Sequence, residues 1–263
     1  MPFNIVPRFP IREGGAISVV IPVWREGEGL ADLLALCQAA PEVWEVIVAV
    51  ADGSAPLAQQ VRELGAACVS VEAPSRGRQL DAGAAAASGK WVLFHHADSR
   101  LTEGHLRALA NLDPDAVGGA FYRKFDERHP ALRGFEGIER WHNRTFGALY
   151  GDQSLFARRD VFAAIGGFRG LPLMEDVDFS RRLRRAGKVV ILDPPMASSP
   201  RRHLARGPWR TTLTNAALLA LFHLGVSPHC LHAWYYRPGA GAPSDLDAPL
   251  EGAAFHPPAT LVP

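Results

Sequence analysis

Cysteine is scarce in this chain: Cys37, Cys68 and Cys230 are the only ones in 263 residues. They lie far apart with no C-x-x-C spacing, which argues against both a disulfide framework and a cysteine zinc site. Free thiols in a reducing compartment are expected instead. Charge of one sign is also lacking: 28 Lys and Arg face 27 Asp and Glu, for a net +1. A nucleic-acid binder is usually clearly basic, so no nucleic-acid partner is expected. No run reaches the roughly 18 apolar residues that span a bilayer. The longest, Ala216 to Gly225, is too short and contains His223. The opening MPFNIVPRFPIREGG has no continuous apolar stretch of the signal-peptide kind. A soluble, cytoplasmic protein is the expectation. The P-loop pattern G-x-x-x-x-G-K-[ST] and the dinucleotide fingerprint G-x-G-x-x-G are both missing.

What is present is a globular balance, 48% hydrophobic and 21% charged, enough for one α/β domain or two fused halves. Residues 1–15, with Pro2, Pro7, Pro10, Gly14 and Gly15, are expected to be a loose lead-in, and 237–263, rich in Pro, Gly and Ala, a flexible tail. Between them, short apolar runs alternate with helical patterns. Strands are expected at Ala16–Val23, Val43–Ala51, Ala66–Val71 and Trp91–His95. Helices are expected at Glu28–Ala39, Ala55–Leu64 and Ser75–Ser88, the last stopped by Gly89. After about residue 115 the pattern loosens. AVGGAFY reads as a further strand, Pro130–Tyr150 as irregular helix, and Val161–Ile165 as a short helix with Asp160 as its N-cap. Glu175–Ala186 reads as a helix and Lys188–Leu192 as a last strand, followed by helices at Pro208–Leu224 and Pro228–Tyr236. The alternation predicts a parallel α/β sheet with right-handed crossovers. Ligands of such sheets bind beyond the carboxyl ends of the strands, so the chemistry should follow each early strand.

Asp52, in ADGS after the second strand, is either a turn residue or an acceptor for the base or ribose of a nucleotide. Asp98, in FHHADSR after the fourth strand, is either a loop residue or a ligand for a hard divalent cation such as Mg²⁺ or Mn²⁺ bridging a diphosphate. Of the adjacent His95 and His96, alternation lets one face such a site. Arg76 and Arg78 stand at a helix start, where guanidinium forks suit phosphate oxygens. Glu175 and Asp176 open their helix side by side. Acidic residues are ordinary there, but one of them could act as general base for an acceptor hydroxyl. Arg181, Arg182, Arg184 and Arg185 read as a solvated face. Asp152 and Gln153, in GDQS, are candidate acceptor contacts. His203 is a candidate metal ligand, although a lone His is more often structural.

Together these pieces resemble family 2 glycosyltransferases of the GT-A fold. SVVIPVWREGEGL is similar to that family's opening strand, with Pro22 and Glu26 at matching positions. VIVAVADGS resembles the strand ending in Asp-Asp-Gly-Ser, with Ala51 at the first Asp. FHHADSR resembles the metal-binding Asp-x-Asp segment, with His96 at the other acidic place. GGF…LMEDVDFSRRLRRAG resembles the Gly-Gly-Phe…Glu-Asp…Arg-Leu…Gly signature. GRQLDAGA, HHADSR, YGDQSLFARR, PLMEDVDFSRRLRR and RTTLTNAALLALFHLGVSP look closer to one small subgroup, the radical-SAM/selenodomain-associated transferases, some linked to arsenosugar biosynthesis.

The resemblance implies a nucleotide-sugar-binding half over 16–115 and an acceptor-binding, catalytic half over 116–236. It implies a UDP- or GDP-sugar donor touched by Pro22, Glu26, Asp52, Arg76, Arg78, His96 and Asp98. It further implies a metal on Asp98, Asp176 as base with Glu175 beside it, a small-molecule acceptor, and inversion. Two other readings stand beside it. One is a sugar-phosphate nucleotidyltransferase, for which VWREGEGL is a poor triphosphate loop. The other is a non-catalytic module binding a nucleotide sugar or a membrane surface. The late helix with Trp209, Leu213, Leu218, Leu219, Leu221 and Phe222 could rest on a membrane or on a second copy in a homodimer, though such a stripe is more often core.

Overall fold

A computed structural model describes residues 15–24, 29–52, 54–96, 99–125, 149–198 and 208–236, together with 134, 136, 137 and 140. The expected helix over Pro130–Tyr150 lies largely outside these residues. So do Glu26, Asp98 and His203.

The strands are β1 (Ile17–Val23), β2 (Val43–Ala51), β3 (Ala67–Val71), β4 (Trp91–Phe94), β5 (Ser99–Arg100), β6 (Ala116–Phe125), β7 (Phe156–Arg158) and β8 (Lys188–Ser198). They form one sheet in the order β3-β2-β1-β4-β7-β6-β8-β5. Four pairings are parallel and three antiparallel, so the sheet is mostly parallel. The short β7 is the antiparallel insert that joins β4 to β6.

Helices cover both faces: α1 (Leu30–Ala39), α2 (Ala55–Glu63), α3 (Arg76–Ala86), α4 (Glu103–Ala110), α5 (Arg159–Ala164), α6 (Glu175–Ala186), α7 (Pro208–His223) and α8 (Pro228–Tyr235). This is why β1 is apolar on both sides, as strands of a doubly covered parallel sheet are. Ile17, Val19 and Ile21 face a core completed by Leu34 of α1, Val61 of α2 and Leu106 of α4. Val20 faces the other core, with Leu80 of α3 and Phe168, Phe179 and Leu183 around α6. Helix α3 sits very low on β1, because a Cβ at Gly83 would stand 2.3 Å from a Val20 methyl. That seating fixes the first turn of α3 above the carboxyl edge of the sheet.

Four expectations are corrected. Helix α3 ends at Ala86 with Ala87 as its cap, two residues before Gly89. Helix α5 starts at Arg159 with Arg158 as N-cap. Asp160 lies inside the first turn, where its carboxylate bonds Arg158 and the Val161 amide. Arg182 is not on a solvated face. It is buried, its Nε donates to Asp178 Oδ2 at 2.8 Å, and Nη1 donates to the Ile165 carbonyl at 2.6 Å. The last strand also runs past Leu192 to Ser198, through Pro194 and Pro195.

Candidate functional site

The carboxyl ends of β1, β2, β3, β4 and β6 share one edge of the sheet, because these strands run in the same direction. Gln79 of α3 ties this edge together. Its Nε2 donates to the Val23 carbonyl at 3.0 Å and to the Ala49 carbonyl at 2.8 Å, satisfying a buried amide. The sequence alone did not single out Gln79; its one signal is a polar side chain on the buried face of a helix.

Asp52 follows β2 directly with φ 60, a strained conformation for a non-glycine residue that recurs at functional turns. It is exposed, and the Trp24 indole at the end of β1 donates to its carboxylate. Trp24 is a second residue that the sequence did not flag. An indole beside an exposed carboxylate offers a flat face and an acceptor together.

His95, after β4, is fully buried. Nε2 meets the Ser99 carbonyl at 3.0 Å and Nδ1 meets the Ser154 hydroxyl at 2.8 Å. A carbonyl only accepts, so Nε2 carries the proton and Nδ1 accepts from Ser154. His95 thereby ties Ser99 to Ser154 of the 151–155 segment, and His96 is its half-buried neighbour at the edge. Burial pushes the His95 pKa down to about 4.

Helix α6 begins at this edge, directly after Met174 at φ 62. Glu175 is buried and Asp176 is half-buried. Asp176 accepts from two backbone amides: Gly151 N–H to Oδ2 at 2.8 Å and Val177 N–H to Oδ1 at 2.8 Å. The Leu149 amide donates to Ser180 Oγ at 3.0 Å, so the 149–153 segment lies along the first turns of α6. Arg76, opening α3, reaches Glu175 with Nε to Oε1 at 3.7 Å. Burial first, then the charge of Asp176, raise the Glu175 pKa to about 7, against the opposing pull of Arg76. Asp152 pairs with Arg123 of β6. Gln153 is fully buried and its Oε1 accepts from the Tyr150 amide at 2.9 Å, so its side chain serves its own turn. Arg78 is exposed beside Gly170.

The edge therefore gathers Pro22, Asp52, Arg76, Arg78, His96, Asp152, Gln153, Glu175 and Asp176. Glu26, Asp98 and His203 lie outside the described residues. Among the described residues no three His, Cys, Asp or Glu side chains group to hold a metal ion.

The two buried titrations have opposite signs. His95 sheds its proton on folding, so its share of stability is complete above pH 6.5 and is lost as pH falls through about 4. Glu175 gains a proton, so its share is complete below 4.5 and is lost as pH rises through about 7. They oppose each other between 4.5 and 6.5. In a Glu175→Gln background, the unfolding free energy from urea titration should therefore fall as pH drops from 7 to 4.5, by on the order of 1 kcal/mol per pH unit from His95. Adding His95→Gln should flatten that slope in part, since burial also lowers His105. An unchanged slope would remove the neutral-His95 assignment.

A family model described as Glycosyl transferase family 2 matches residues 18–166. The fold is similar to the mannosyltransferase PcManGT from Pyrobaculum calidifontis in complex with GDP-Man and Mn2+. The TM-score is 0.59 at 16% identity, over 89% of this chain and 73% of that one. It is also similar to S. aureus TarS 1-349, with TM-score 0.53 at 16% identity over 71% of this chain and 61% of that one. The same TarS fragment in complex with UDP-GlcNAc gives TM-score 0.52 at 16% identity, over 70% and 58%. No curated protein matches the sequence.

Proposed function

The chain belongs to glycosyl transferase family 2, and from that premise we propose that it moves a sugar from a UDP- or GDP-sugar to a small acceptor at the carboxyl edge of its sheet. The observation that carries this is Asp176: a half-buried carboxylate at a helix start, aimed by the Gly151 amide at 2.8 Å. A base in that position takes the acceptor hydroxyl proton as the oxygen attacks the anomeric carbon. The bond from that carbon to the donor phosphate breaks, and its electron pair leaves with the nucleoside diphosphate. Attack from the face opposite the leaving group inverts the centre and needs no covalent intermediate. Asp52 and Trp24 would hold the nucleoside. Arg78, exposed in the first turn of α3, would meet phosphate oxygens, and Asp152 the acceptor. A divalent cation, Mg²⁺ or Mn²⁺, held by Asp98 with the phosphates would neutralise charge on the leaving group. The resemblance of the GRQLDAGA and YGDQSLFARR segments supports membership of the radical-SAM/selenodomain-associated subgroup.

Among the described residues no helix is long and apolar enough to cross a membrane. Leu213 is 69% exposed and Leu224 81% exposed on and just after α7, which supports a peripheral contact with a membrane or a second copy. Leu218 of the same helix is buried core. Liposome co-sedimentation and solution mass separate the two contacts; a monomer that ignores liposomes would exclude both.

The test of the transferase reading is a thermal-shift panel of nucleoside diphosphates and nucleotide sugars, with and without Mn²⁺. A cognate donor at a hundred times its Kd should stabilise the fold by about 2.7 kcal/mol, and release of nucleoside diphosphate should follow acceptor addition. Pyrophosphate release from a nucleoside triphosphate would instead support the nucleotidyltransferase.

A further inference from the structure

Gly151 does more than supply an amide. An ideal Cβ on it would stand 1.6 Å from Arg76 Nη2 and 2.5 Å from Cζ. The guanidinium occupies the space a side chain would need. On its other side the same group meets Glu175 at 3.7 Å. The Glu175 side chain in turn packs on the first turn of α3, its Cβ and Cγ each 3.7 Å from where a Cβ on Gly77 would lie. Arg76 is thus enclosed between the 151–153 turn and the start of α6, with its side chain 38% exposed.

We propose that Arg76, wedged between Gly151 and Glu175, is a positioning residue that holds the Gly151 amide on the Asp176 carboxylate. The proposal rests on Asp176 being the base. Its chemistry is that of two adjacent carboxylates in a largely buried site, which need a cation nearby to stay charged. The charged groups around Glu175 are Asp176 on its own helix and Arg76 on α3. In the facing turn Asp152 is engaged by Arg123. The remaining neighbours at Gly77 and Phe168 carry no charge. Arg76 is the cation that opposes protonation here, and a guanidinium held this way is already committed to the protein. This separates it from Arg78, which is exposed and left to the donor.

The test is a double-mutant cycle with kcat, acceptor KM, donor Kd and the carbon-13 titration of the Glu175 carboxyl. In the native background Gly151→Ala must displace the guanidinium and should lower kcat about tenfold, with donor Kd unchanged. In an Arg76→Ala background the space is empty, and the same substitution should cost less than about twofold. Arg76→Gln should make Glu175 ionise at higher pH, because the opposing charge is gone. Arg76→Lys, which keeps the charge and loses the fork, should restore that titration but not kcat. Additive losses with an unmoved Glu175 titration would overturn the proposal. So would an Arg76→Gln variant that loses donor affinity at unchanged kcat, which would make Arg76 a phosphate ligand. Should Gly151→Ala lose its circular dichroism signature, kcat and the Glu175 titration in the two single Arg76 variants decide alone. Asp176→Asn run alongside separates the two levels. Native turnover there sinks the base reading itself, whereas lost turnover with an additive cycle sinks only the wedge.

Discussion

Asp176→Asn should lose turnover by about 10²–10⁴-fold, the usual worth of a positioned general base, while donor affinity stays within about twofold of native. The substitution keeps one oxygen that can accept from the Gly151 amide, the contact now made at 2.8 Å, and gives up the contact within its own turn from the Val177 amide, because a carboxamide nitrogen only donates. What the carboxamide cannot do is take a proton. It also removes a charge that raises the pKa of neighbouring Glu175, so Glu175 should ionise at lower pH in the variant. Carbon-13 titration of the Glu175 carboxyl reads that shift without any turnover. Single-turnover rates and calorimetric donor titration check the rest. A variant turning over within about threefold of native would show that the proton goes elsewhere.

Phe94→Ala should cost about 3–5 kcal/mol of stability, the range for removing a fully buried aromatic. Phe94 is 1% exposed. Its ring centroid lies 5.0 Å from both Phe162 and Phe168 and 6.3 Å from Phe179. The last three belong to α5, the 165–170 turn and α6. The cluster is therefore the floor beneath the start of α6, and Phe94 is its only member on the sheet. A loss of this size is a large fraction of the total stability of an ordinary domain. Phe94→Leu, which keeps most of the volume, should cost less than about 1.5 kcal/mol. Urea denaturation of the two variants measures the difference. Equal losses would mean that the cluster relaxes around the cavity rather than holding α6.

How far these features could be read from the chain follows from the strength of each local signal. The bounds of β2 and α6 agree with the reading of the sequence, because VWEVIVAVA is a continuous apolar run and Val177, Phe179 and Leu183 repeat at helical spacing above an acidic start. The β5 and β7 strands were not legible. Two and three residues long, they carry no period and exist only because neighbouring strands pair with them. The end of β8 was hidden by Pro194 and Pro195, which read as a stop. The register shift between Phe121 and Arg123 takes up the prolines and lets pairing resume at Met196. Arg182 was misread because RRLRR looks uniformly solvated. Its burial depends on the Ile165 carbonyl and Asp178, which only the fold brings to it.

At the edge itself, Asp52, Arg76, Glu175 and Asp176 were recognisable as carboxylates and cations after strands or at helix starts. Trp24, Gln79 and Arg123 were not, since each acts through a contact distant in sequence. Gly151 stood in view within GDQS, but its need for bare backbone is set by Arg76, 75 positions earlier.

A crystal structure with a nucleoside diphosphate and Mn²⁺ bears most directly on the central claim. The diphosphate should lie beyond the carboxyl ends of β1 and β4, beside the first turn of α3, with the nucleoside against Asp52 and Trp24 and the open side facing Asp176. A nucleotide seated at the opposite edge of the sheet, or on the outer helices, would contradict the account.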